Sequence, residues 1–380
     1  MRQTGKYLSV TTLGEAVRAF VPARLPPASP VLDLAALADG LSAAELAIAR
    51  LNAVAGLVQS MRWLTYAALR KEALLTSQIE GTQATLVDVF DAEANFVVAN
   101  ADDVEEVTNY LRAFDYSVAE LRRPRGLPLS TRLLCEAHRR LMTGARGGSK
   151  QPGEIRRSQN WIGGTRPGNA AYVPPPESKL ADLLSNLERF IHADGKLPSL
   201  VKVALAHAQF ESIHPFLDGN GRIGRLLIAL MLEEYKLVNA PVLHVSSFLK
   251  RHQTEYYRRL SLIRTEGDWE GWLAFFLECV VGAAAESEQT IIDIQSMINT
   301  DRARLLATAN ISQATYRLFE LLPEIPRFSI EAARRALDTS FPTANAAVAN
   351  LVRVGIVKEL TGRSKNRGFS YEAYVQRLAR

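Results

Sequence analysis

Apolar residues recur every three to four positions over most of the chain, and this spacing predicts a mainly helical protein. The stretch at 61–79 shows it well, because Leu64, Ala68 and Leu75 share one helical face and Gly81 is well placed to end the helix. The same spacing predicts further helices over 103–122, 130–142, 178–192, 199–213, 223–236, 252–264 and 268–298.

Two segments interrupt this pattern. Residues 1–34 contain several prolines and are predicted to be irregular. The first helix is therefore expected from Leu41, with Ser42 as its N-cap and Glu45 completing a capping box. Residues 144–177 are rich in Gly and Pro and are predicted to form a long loop, which is usually a functional feature in a helical domain. Within that loop, a short hairpin is predicted from the strand-like segments 160–163 and 171–174.

The pattern changes again after about residue 300. Three helices followed by a β-hairpin with a basic turn resemble a winged helix-turn-helix whose third helix is the recognition helix. Residues 301–380 carry a net charge of +6, whereas the first 300 residues carry −1, which favours a polyanionic partner for this segment. The predicted helices are 312–322, 329–337 and 343–354, and the hairpin has strands at 355–360 and 369–371 around a turn at 361–368.

Composition narrows the class of protein. The chain has 380 residues, of which 47% are apolar, enough for two or three domains with buried cores. Cys135 and Cys279 lie far apart in apolar helical patterns, so we expect buried free thiols rather than a disulfide or a zinc site. There is no signal-peptide pattern, and no apolar run approaches the ~20 residues of a membrane span. We therefore expect a soluble, cytoplasmic protein without a membrane partner.

The run at 214–225 carries the strongest chemical signal. It reads His-Pro-Phe-Leu-Asp-Gly-Asn-Gly-Arg-Ile-Gly-Arg, and it combines a proton acceptor, a carboxylate, flexible glycines and two guanidiniums. No Gly-Lys-Ser/Thr follows the glycines, which excludes a Walker loop. Counted from Asp218, the fifth position is Arg222, a cation where an EF-hand needs an oxygen ligand.

Each group in this run suits a phosphate site. A helix beginning at the glycines would present free N–H groups to an anion, and Arg222 and Arg225 would share its first turn. Asp218 is the only carboxylate of the run and suits Mg²⁺, which takes few protein oxygens. His214 can accept a proton near neutral pH. Two alternatives stay open, a helix-capping role for His214 and a surface-turn role for Asp218.

The run resembles the signature of Fic-domain proteins, H-x-F-x-D/E-G-N-G-R-x-x-R, with every fixed position filled. The resemblance implies transfer of AMP from ATP to a Tyr, Ser or Thr hydroxyl of a target protein, with self-modification included. It also implies that His214 is the base and that Asp218 holds Mg²⁺. The implied ATP-binding set is Glu80, Asp218, Gly219, Asn220, Gly221, Arg222, Ile223, Gly224 and Arg225, of which Arg225 would hold the γ-phosphate.

A second resemblance lies earlier in the chain. Thr76-Ser77-Gln78-Ile79-Glu80-Gly81 is similar to the S/T-x-x-x-E-G/N inhibitory motif of Fic proteins, with Thr76, Glu80 and Gly81 at its fixed positions. It implies that Glu80 pairs with Arg225 in the place of the γ-phosphate. The alternative is a capped, solvated glutamate at a helix end.

Two further features fit the resemblance. Residues 153–176, called the flap below, would pin the target backbone by strand addition. Gly153-Glu154-Ile155-Arg156 resembles a G-x-x-R element often found upstream of the motif. Tyr256 and Tyr257 would either wall the adenine pocket or pack in the core.

The sequence thus predicts a Fic-type helical bundle with a small β-hairpin flap and a C-terminal winged helix-turn-helix. The predicted regions are an inhibitory N-terminal region at 1–100, a catalytic core at 101–299 and a winged helix at 300–380. The expected activity is protein adenylyltransfer by an autoinhibited homodimer. Two alternatives remain: an enzyme that removes AMP from a modified target, alone or besides adding it, and a DNA-binding regulator that uses the Fic core as a sensor.

Overall fold

A computed structural model describes residues 2–58, 60–144, 148–363 and 365–379, and it is mainly α-helical, as predicted. Its strands are β1 (Gly5–Thr12), β2 (Glu15–Pro22), β3 (Arg327–Ser329), β4 (Lys358–Glu359) and β5 (Gly368–Ser370). Its helices are α1 (Ala38–Gly56), α2 (Met61–Ile79), α3 (Leu86–Glu93), α4 (Ala101–Arg122), α5 (Thr131–Leu141), α6 (Glu177–His192), α7 (Ser199–Ile213), α8 (Asn220–Glu234), α9 (Val245–Arg251), α10 (Gln253–Thr265), α11 (Trp269–Leu306), α12 (Gln313–Leu321), α13 (Ile330–Leu337), α14 (Phe341–Arg353) and α15 (Glu372–Ala379).

Helix α8 lies at the centre of the bundle. It packs against α7, α4, α5 and α2, and Ile223, Leu226 and Leu230 on it are fully buried. Burial of one such side chain stabilises the fold by about 1.5–3 kcal/mol. The hydrophobic core is continuous from Val21 to Leu378. The N-terminus of α8 is therefore held on a rigid support.

The N-terminal segment differs from the prediction. Residues 5–22 form an antiparallel hairpin, β1–β2, instead of an irregular segment. Its two-residue turn places Leu13 at φ 48° and Gly14 at φ 79°, the left-handed pair that suits a tight hairpin. The capping box was also wrong, because α1 begins at Ala38 and Ser42 lies inside it.

The Gly- and Pro-rich loop is close to the prediction. Ile162 and Tyr172 form an antiparallel bridge, which confirms that the segments 160–163 and 171–174 pair. A single 3₁₀ turn, Pro167–Asn169, lies between them. Residues 145–147 of the predicted loop lie outside the described residues.

The C-terminal region contains the three predicted helices, α12, α13 and α14, and an antiparallel sheet in the order β3-β5-β4. Strand β3 and helix α15 were not predicted. The predicted boundary at residue 299 falls inside α11, and α15 packs on α2, α3 and α11. The division into domains and the winged-helix assignment stay predictions, and residue 364 in the basic turn lies outside the described residues.

Helix α14, the expected recognition helix, has a nearly neutral exposed face. Its exposed positions include Thr343, Ala346, Ala349 and Arg353, so only one of these four side chains is charged. Specific readout of bases normally uses several long polar side chains on such a face. Among the described residues, none of the helices is both long enough and apolar enough to span a membrane.

Candidate active site

The segment before α8 forms a loop closed by a side chain. Asn220 accepts a hydrogen bond from the Phe216 N–H at 2.9 Å and donates one to the Phe216 carbonyl at 2.8 Å. The Asn220 amide therefore holds the loop, and only its backbone N–H is available to an anion. Gly219 is the N-cap of α8 with φ 73°, a conformation that favours glycine.

The first turn of α8 has the geometry of an anion site. The first backbone hydrogen bond of this turn runs from the Ile223 N–H to the Gly219 carbonyl, at 3.1 Å. Among the described residues, the N–H groups of Asn220, Gly221 and Arg222 have no partner. Unpaired N–H groups at a helix N-terminus attract phosphate.

A buried histidine, His138, supports this loop. His138 stacks on Phe216 with ring centroids 3.9 Å apart. The Gly153 N–H donates to Nδ1 of His138 at 2.9 Å, so Nε2 carries the proton and donates to the Asp218 carbonyl at 3.0 Å. Burial lowers the pKa of His138 to about 4. His138 therefore joins the start of the flap to the loop in one fixed tautomer.

Arg156, in the G-x-x-R element, holds the same loop from the other side. Its buried guanidinium donates to the carbonyls of His214 at 3.0 Å, Ser158 at 3.0 Å and Pro175 at 2.5 Å. Its backbone N–H donates to the Pro215 carbonyl at 2.9 Å. Arg156 thus fixes the backbone of the candidate base.

His214 lies at the C-terminus of α7 in a left-handed conformation, φ 49° and ψ 62°. Its side chain is half-buried, and within the described residues Nδ1 has no hydrogen-bond partner. Burial, with a smaller contribution from the Arg156 guanidinium, lowers the pKa of His214 to about 4. The imidazole is therefore neutral at pH 7, the form that can accept a proton.

The predicted pair of Arg225 and Glu80 is formed. The Arg225 guanidinium donates to Glu80 Oε1 at 2.5 Å, to Thr76 Oγ1 at 2.6 Å and to the Thr76 carbonyl at 3.0 Å. The Arg225 side chain is 1% exposed and the Glu80 side chain 34%. Burial alone would raise the pKa of Glu80, but the Arg225 guanidinium brings it below its ordinary value. Gly81 follows with φ 101°, which ends α2 as predicted.

Arg222 is buried but incompletely paired. Its guanidinium lies 3.4 Å from Glu106 Oε2 and 3.8 Å from Met142 Sδ, and among the described residues its Nε has no partner. A guanidinium with unused donors at the N-terminus of α8 suits a phosphate oxygen.

Two glycines of the motif lie against carboxylate groups. A Cβ at Gly221 would meet Glu80 Oε1, and a Cβ at Gly224 would meet Glu211 Oε1. The glycines of the motif therefore leave room for carboxylates, and at Gly221 this room is where Glu80 meets Arg225.

Asp218 is exposed at the edge of the loop. One of its carboxylate oxygens accepts the Gly219 N–H at 2.6 Å. In the described ranges, no group of three or more His, Cys, Asp or Glu side chains is placed to hold a metal ion. A single carboxylate fits Mg²⁺ that is held mainly by substrate phosphates and water.

Two buried carboxyl groups near Arg225 were not singled out from the sequence. Burial raises the pKa of Glu211 to about 7, and one of its oxygens has no partner within the described residues. Burial also raises the pKa of Glu72 to about 7, and Glu72 accepts the Ser246 hydroxyl at 2.5 Å. The sequence carried no signal for either residue. Glu211 precedes His214 by three residues and Glu72 precedes Glu80 by eight, and neither spacing is informative until the burial of the carboxyl groups is known.

His207 has a structural role in the core. Its Nδ1 lies 2.9 Å from the Gly224 carbonyl, and its Nε2 lies 2.9 Å from the Tyr256 hydroxyl. Tyr256 is buried in the core, whereas Tyr257 is 46% exposed beside the Glu80–Arg225 pair. Of the two tyrosines, only Tyr257 therefore remains a candidate for contact with a nucleotide base.

We expect His207→Gln to change how stability depends on pH. Burial lowers the pKa of His207 to about 3, so the folded protein leaves it neutral where the unfolded chain, with a pKa of ~6.5, binds a proton. At pH 7 the unfolding free energy of the wild-type protein should be about 1–2 kcal/mol larger than that of the variant. This difference in unfolding free energy should shrink by up to ~1.4 kcal/mol per pH unit below pH 6.5. Urea unfolding of both proteins between about pH 7 and pH 4.5 measures this difference. A difference that does not change with pH would contradict the lowered pKa of His207.

Comparison with known families assigns two regions of the chain. Residues 38–119 match the family described as Fic/DOC family N-terminal, and residues 128–232 match the Fic/DOC family. The proteins named Protein adenylyltransferase Fic from Drosophila erecta and Drosophila grimshawi are 30% and 31% identical over 211 residues. The match covers 53% of this chain but only 38% and 39% of those relatives, so the chain spans about two fifths of their length.

Solved structures share the fold. A Fic family protein from Desulfovibrio desulfuricans G20 superposes with a TM-score of 0.58 at 21% identity, covering 90% of this chain and 97% of that one. Fic-1 from C. elegans, residues 134–508, gives a TM-score of 0.53 at 20% identity, covering 70% and 74%. Residues 38–119 and 128–232 are therefore similar to the N-terminal region and the core region of the Fic/DOC family, and the fold is that of the solved Fic structures.

Proposed function

We propose that the protein is a protein adenylyltransferase that moves AMP from ATP to a hydroxyl side chain of a target protein and is autoinhibited by Glu80. One observation carries this proposal: the buried Arg225, one turn inside an anion-binding helix N-terminus, is occupied by Glu80 and Thr76. The names of the curated relatives support the activity. Intact-mass analysis of Glu80→Gly and a peptide pool, incubated with ATP and Mg²⁺, tests it by an added mass of one AMP.

The proposed reaction is an in-line displacement at the α-phosphorus. The target hydroxyl oxygen forms a bond to the α-phosphorus while the bond to the bridging oxygen of the β-phosphate breaks, and pyrophosphate leaves. Neutral His214 accepts the hydroxyl proton. The N–H groups of the first turn of α8 and Arg222 bind the α- and β-phosphates, and Arg225 binds the γ-phosphate once Glu80 is displaced. Such transfer depends mainly on positioning and charge neutralisation.

Magnesium is part of the proposal. Asp218 would hold Mg²⁺ together with phosphate oxygens and water, because its second carboxylate oxygen is exposed and free of a partner in the described structure. When bound, the ion supplies positive charge that stabilises the leaving pyrophosphate.

Autoinhibition follows from competition for one guanidinium. Glu80 and a γ-phosphate both need the donors of Arg225, and Thr76 keeps that guanidinium turned towards Glu80. ATP would then bind without its γ-phosphate seated, so its α-phosphorus would be poorly aligned with the target hydroxyl. Displacement of α2 or of the Glu80 side chain would release the enzyme.

We expect Arg156→Lys to lower AMP transfer about 10- to 100-fold, because a small displacement of a catalytic group is costly. A lysine cannot reproduce the three bonds that Arg156 makes to backbone carbonyls, so the His214 backbone loses its fixed position. ATP affinity should be unchanged, since Arg156 does not line the N-terminus of α8. Steady-state kinetics with nucleotide titration measure both. Equal losses in turnover and ATP affinity would contradict this role.

Removal of AMP from a modified target is a second candidate activity. The Glu80 carboxylate is ionised and 34% exposed, so it could orient a water molecule towards the α-phosphorus of an AMP-modified residue. Incubating a pre-modified target with the wild-type protein separates the two activities, since release of AMP requires Glu80 in this scheme.

The remaining assignments rest on the sequence. They are a cytoplasmic location, a homodimer, self-modification and a winged helix at 300–380 that contacts DNA. The salt dependence of DNA binding tests whether the winged helix contacts DNA, because binding through phosphates weakens steeply as the salt concentration rises.

A further inference from the structure

The two-stranded sheet β1–β2 lies beside the bridged segments of the flap, and one backbone hydrogen bond joins them. The Ile162 N–H donates to the Tyr172 carbonyl at 2.8 Å, and the Tyr172 N–H donates to the Ile162 carbonyl at 3.1 Å. The Phe20 N–H of β2 donates to the Val173 carbonyl at 2.9 Å. Successive residues of an extended chain direct their backbone groups to opposite edges. The spatial order is therefore β1, β2, segment 171–174, segment 160–163.

The flap rests on the hairpin through its own apolar cluster. Val17, Ala19 and Val173 form a buried cluster that is separate from the main core, and Trp161 and Ala170 pack against it. Side chains of β2 and of both segments of the flap thus belong to one small apolar cluster. Without the hairpin, this apolar surface of the flap would face water.

The hairpin itself is fixed to the body of the protein. Arg2 binds both carboxylate oxygens of Glu270, at 2.7 and 2.8 Å, and Thr4 donates to the Arg264 carbonyl at 2.9 Å. At the opposite end, Glu15 pairs with Arg166 of the flap. The hairpin therefore connects the flap to the core and fixes its position.

The outer edge of the flap is open, and Asn160 at its start donates to the Phe216 carbonyl at 3.0 Å, two residues after the candidate base. Among the described residues, no backbone hydrogen bond is made by Trp161 or Gly163, and the Ile162 side chain is 37% exposed. An unpaired strand edge accepts an extended peptide. The Tyr172 hydroxyl donates to the Ser212 carbonyl at 2.6 Å. This bond joins the flap to the chain two residues before His214.

We propose that the hairpin β1–β2 is the fixed support of the flap and sets the affinity for an extended, hydroxyl-bearing segment at the flap edge 161–163. This inference rests on the proposed function and concerns its target. Residues of the hairpin such as Val17 act through the flap, so they are positioning residues. They should control how tightly the target binds and leave the chemical step and ATP binding alone.

The test uses Val17→Asp, which puts a charge into the apolar cluster, in the Glu80→Gly background. The acceptor is a set of synthetic peptides, each with one Ser, Thr or Tyr, and the donor is ATP labelled at the α-phosphorus. We expect the peptide KM to rise about tenfold while kcat and the KM for ATP stay within about a factor of two. The milder Val17→Thr should raise the peptide KM about threefold. It replaces Val17→Asp in the test if the charged variant does not fold.

The matched control is Ser9→Asp, which adds the same charge to an exposed position of the same hairpin. It should leave the peptide KM unchanged. Amide hydrogen exchange at 160–163 should be faster in the Val17 variants than in this control. A peptide KM equal to that of the control, or parallel losses in kcat and ATP binding, would overturn the inference.

The two proposals fail separately. If Glu80→Gly modifies no peptide, the proposed function is wrong, and hydrogen exchange alone then decides whether the hairpin holds the flap. Equal exchange at 160–163 in Val17→Thr and Ser9→Asp would show that it does not.

Discussion

Glu80→Gly should raise AMP transfer by roughly 10- to 100-fold over the wild-type protein. The reason is that the charge-assisted bond from Arg225 to Glu80 must be broken before a γ-phosphate can bind. Bonds to charged groups contribute about 1.5–3 kcal/mol, and each 1.4 kcal/mol corresponds to a factor of ten. With Glu80 one third exposed, the lower half of that range applies to stability, so the variant should lose about 1.5–2 kcal/mol of unfolding free energy.

The matched control for this variant is Glu45→Gly on the exposed face of α1. It makes the same substitution inside a helix and costs about 1 kcal/mol, but it leaves Arg225 occupied. Activation in both variants would point to general loosening rather than to release of Arg225. Glu80→Gln removes the charge but keeps the length, so its activity should lie between those of the wild-type protein and Glu80→Gly.

His214→Ala, made in the Glu80→Gly background, should lower AMP transfer by about 10²- to 10⁴-fold, the usual contribution of a general base. ATP affinity should be unchanged, because the predicted nucleotide contacts come from α8 and Arg222. Labelling kinetics and nucleotide titration measure the two quantities independently.

Backbone strain is a separate effect at this position. Alanine adopts the left-handed conformation of His214 poorly, whereas asparagine tolerates it. His214→Asn should therefore lose activity as fully as His214→Ala while losing less unfolding free energy. Substantial transfer by the asparagine variant would show that the imidazole is not the base.

Long helices and the contiguous motif were predictable from the sequence. The predicted helix at 61–79 coincides with α2, because its apolar positions keep helical spacing over five turns. The residues of the run 214–225 come together in the structure because they are neighbours in the chain. The contact of Glu80 with Arg225 joins distant parts of the chain, and only the resemblance to a known motif pointed to it.

Other features depend on packing that spacing does not encode. The hairpin β1–β2 turns at Leu13–Gly14, and leucine at positive φ gives no turn signal. Helix α1 begins at Ala38, and its N-cap Leu37 makes no side-chain hydrogen bond, so the capping pattern at Ser42 pointed to the wrong residue. His138 and Arg156 lie far along the chain from the loop that they hold; the G-x-x-R element pointed to Arg156, but the contacts of both residues depend on packing.

The same limit applies to the charged groups. The pKa of Glu211 is raised to about 7 because the core around α7 and α8 excludes water, and no local pattern reports that environment.

The position of the transferred label tests the central claim most directly. Glu80→Gly is incubated with Mg²⁺ and the peptide set, once with ATP labelled at the α-phosphorus and once with ATP labelled at the γ-phosphorus. We expect label on the acceptor from the α-position only, because Arg225 holds the γ-phosphate in the leaving pyrophosphate. Label from the γ-position, or no label from either donor, would contradict the account.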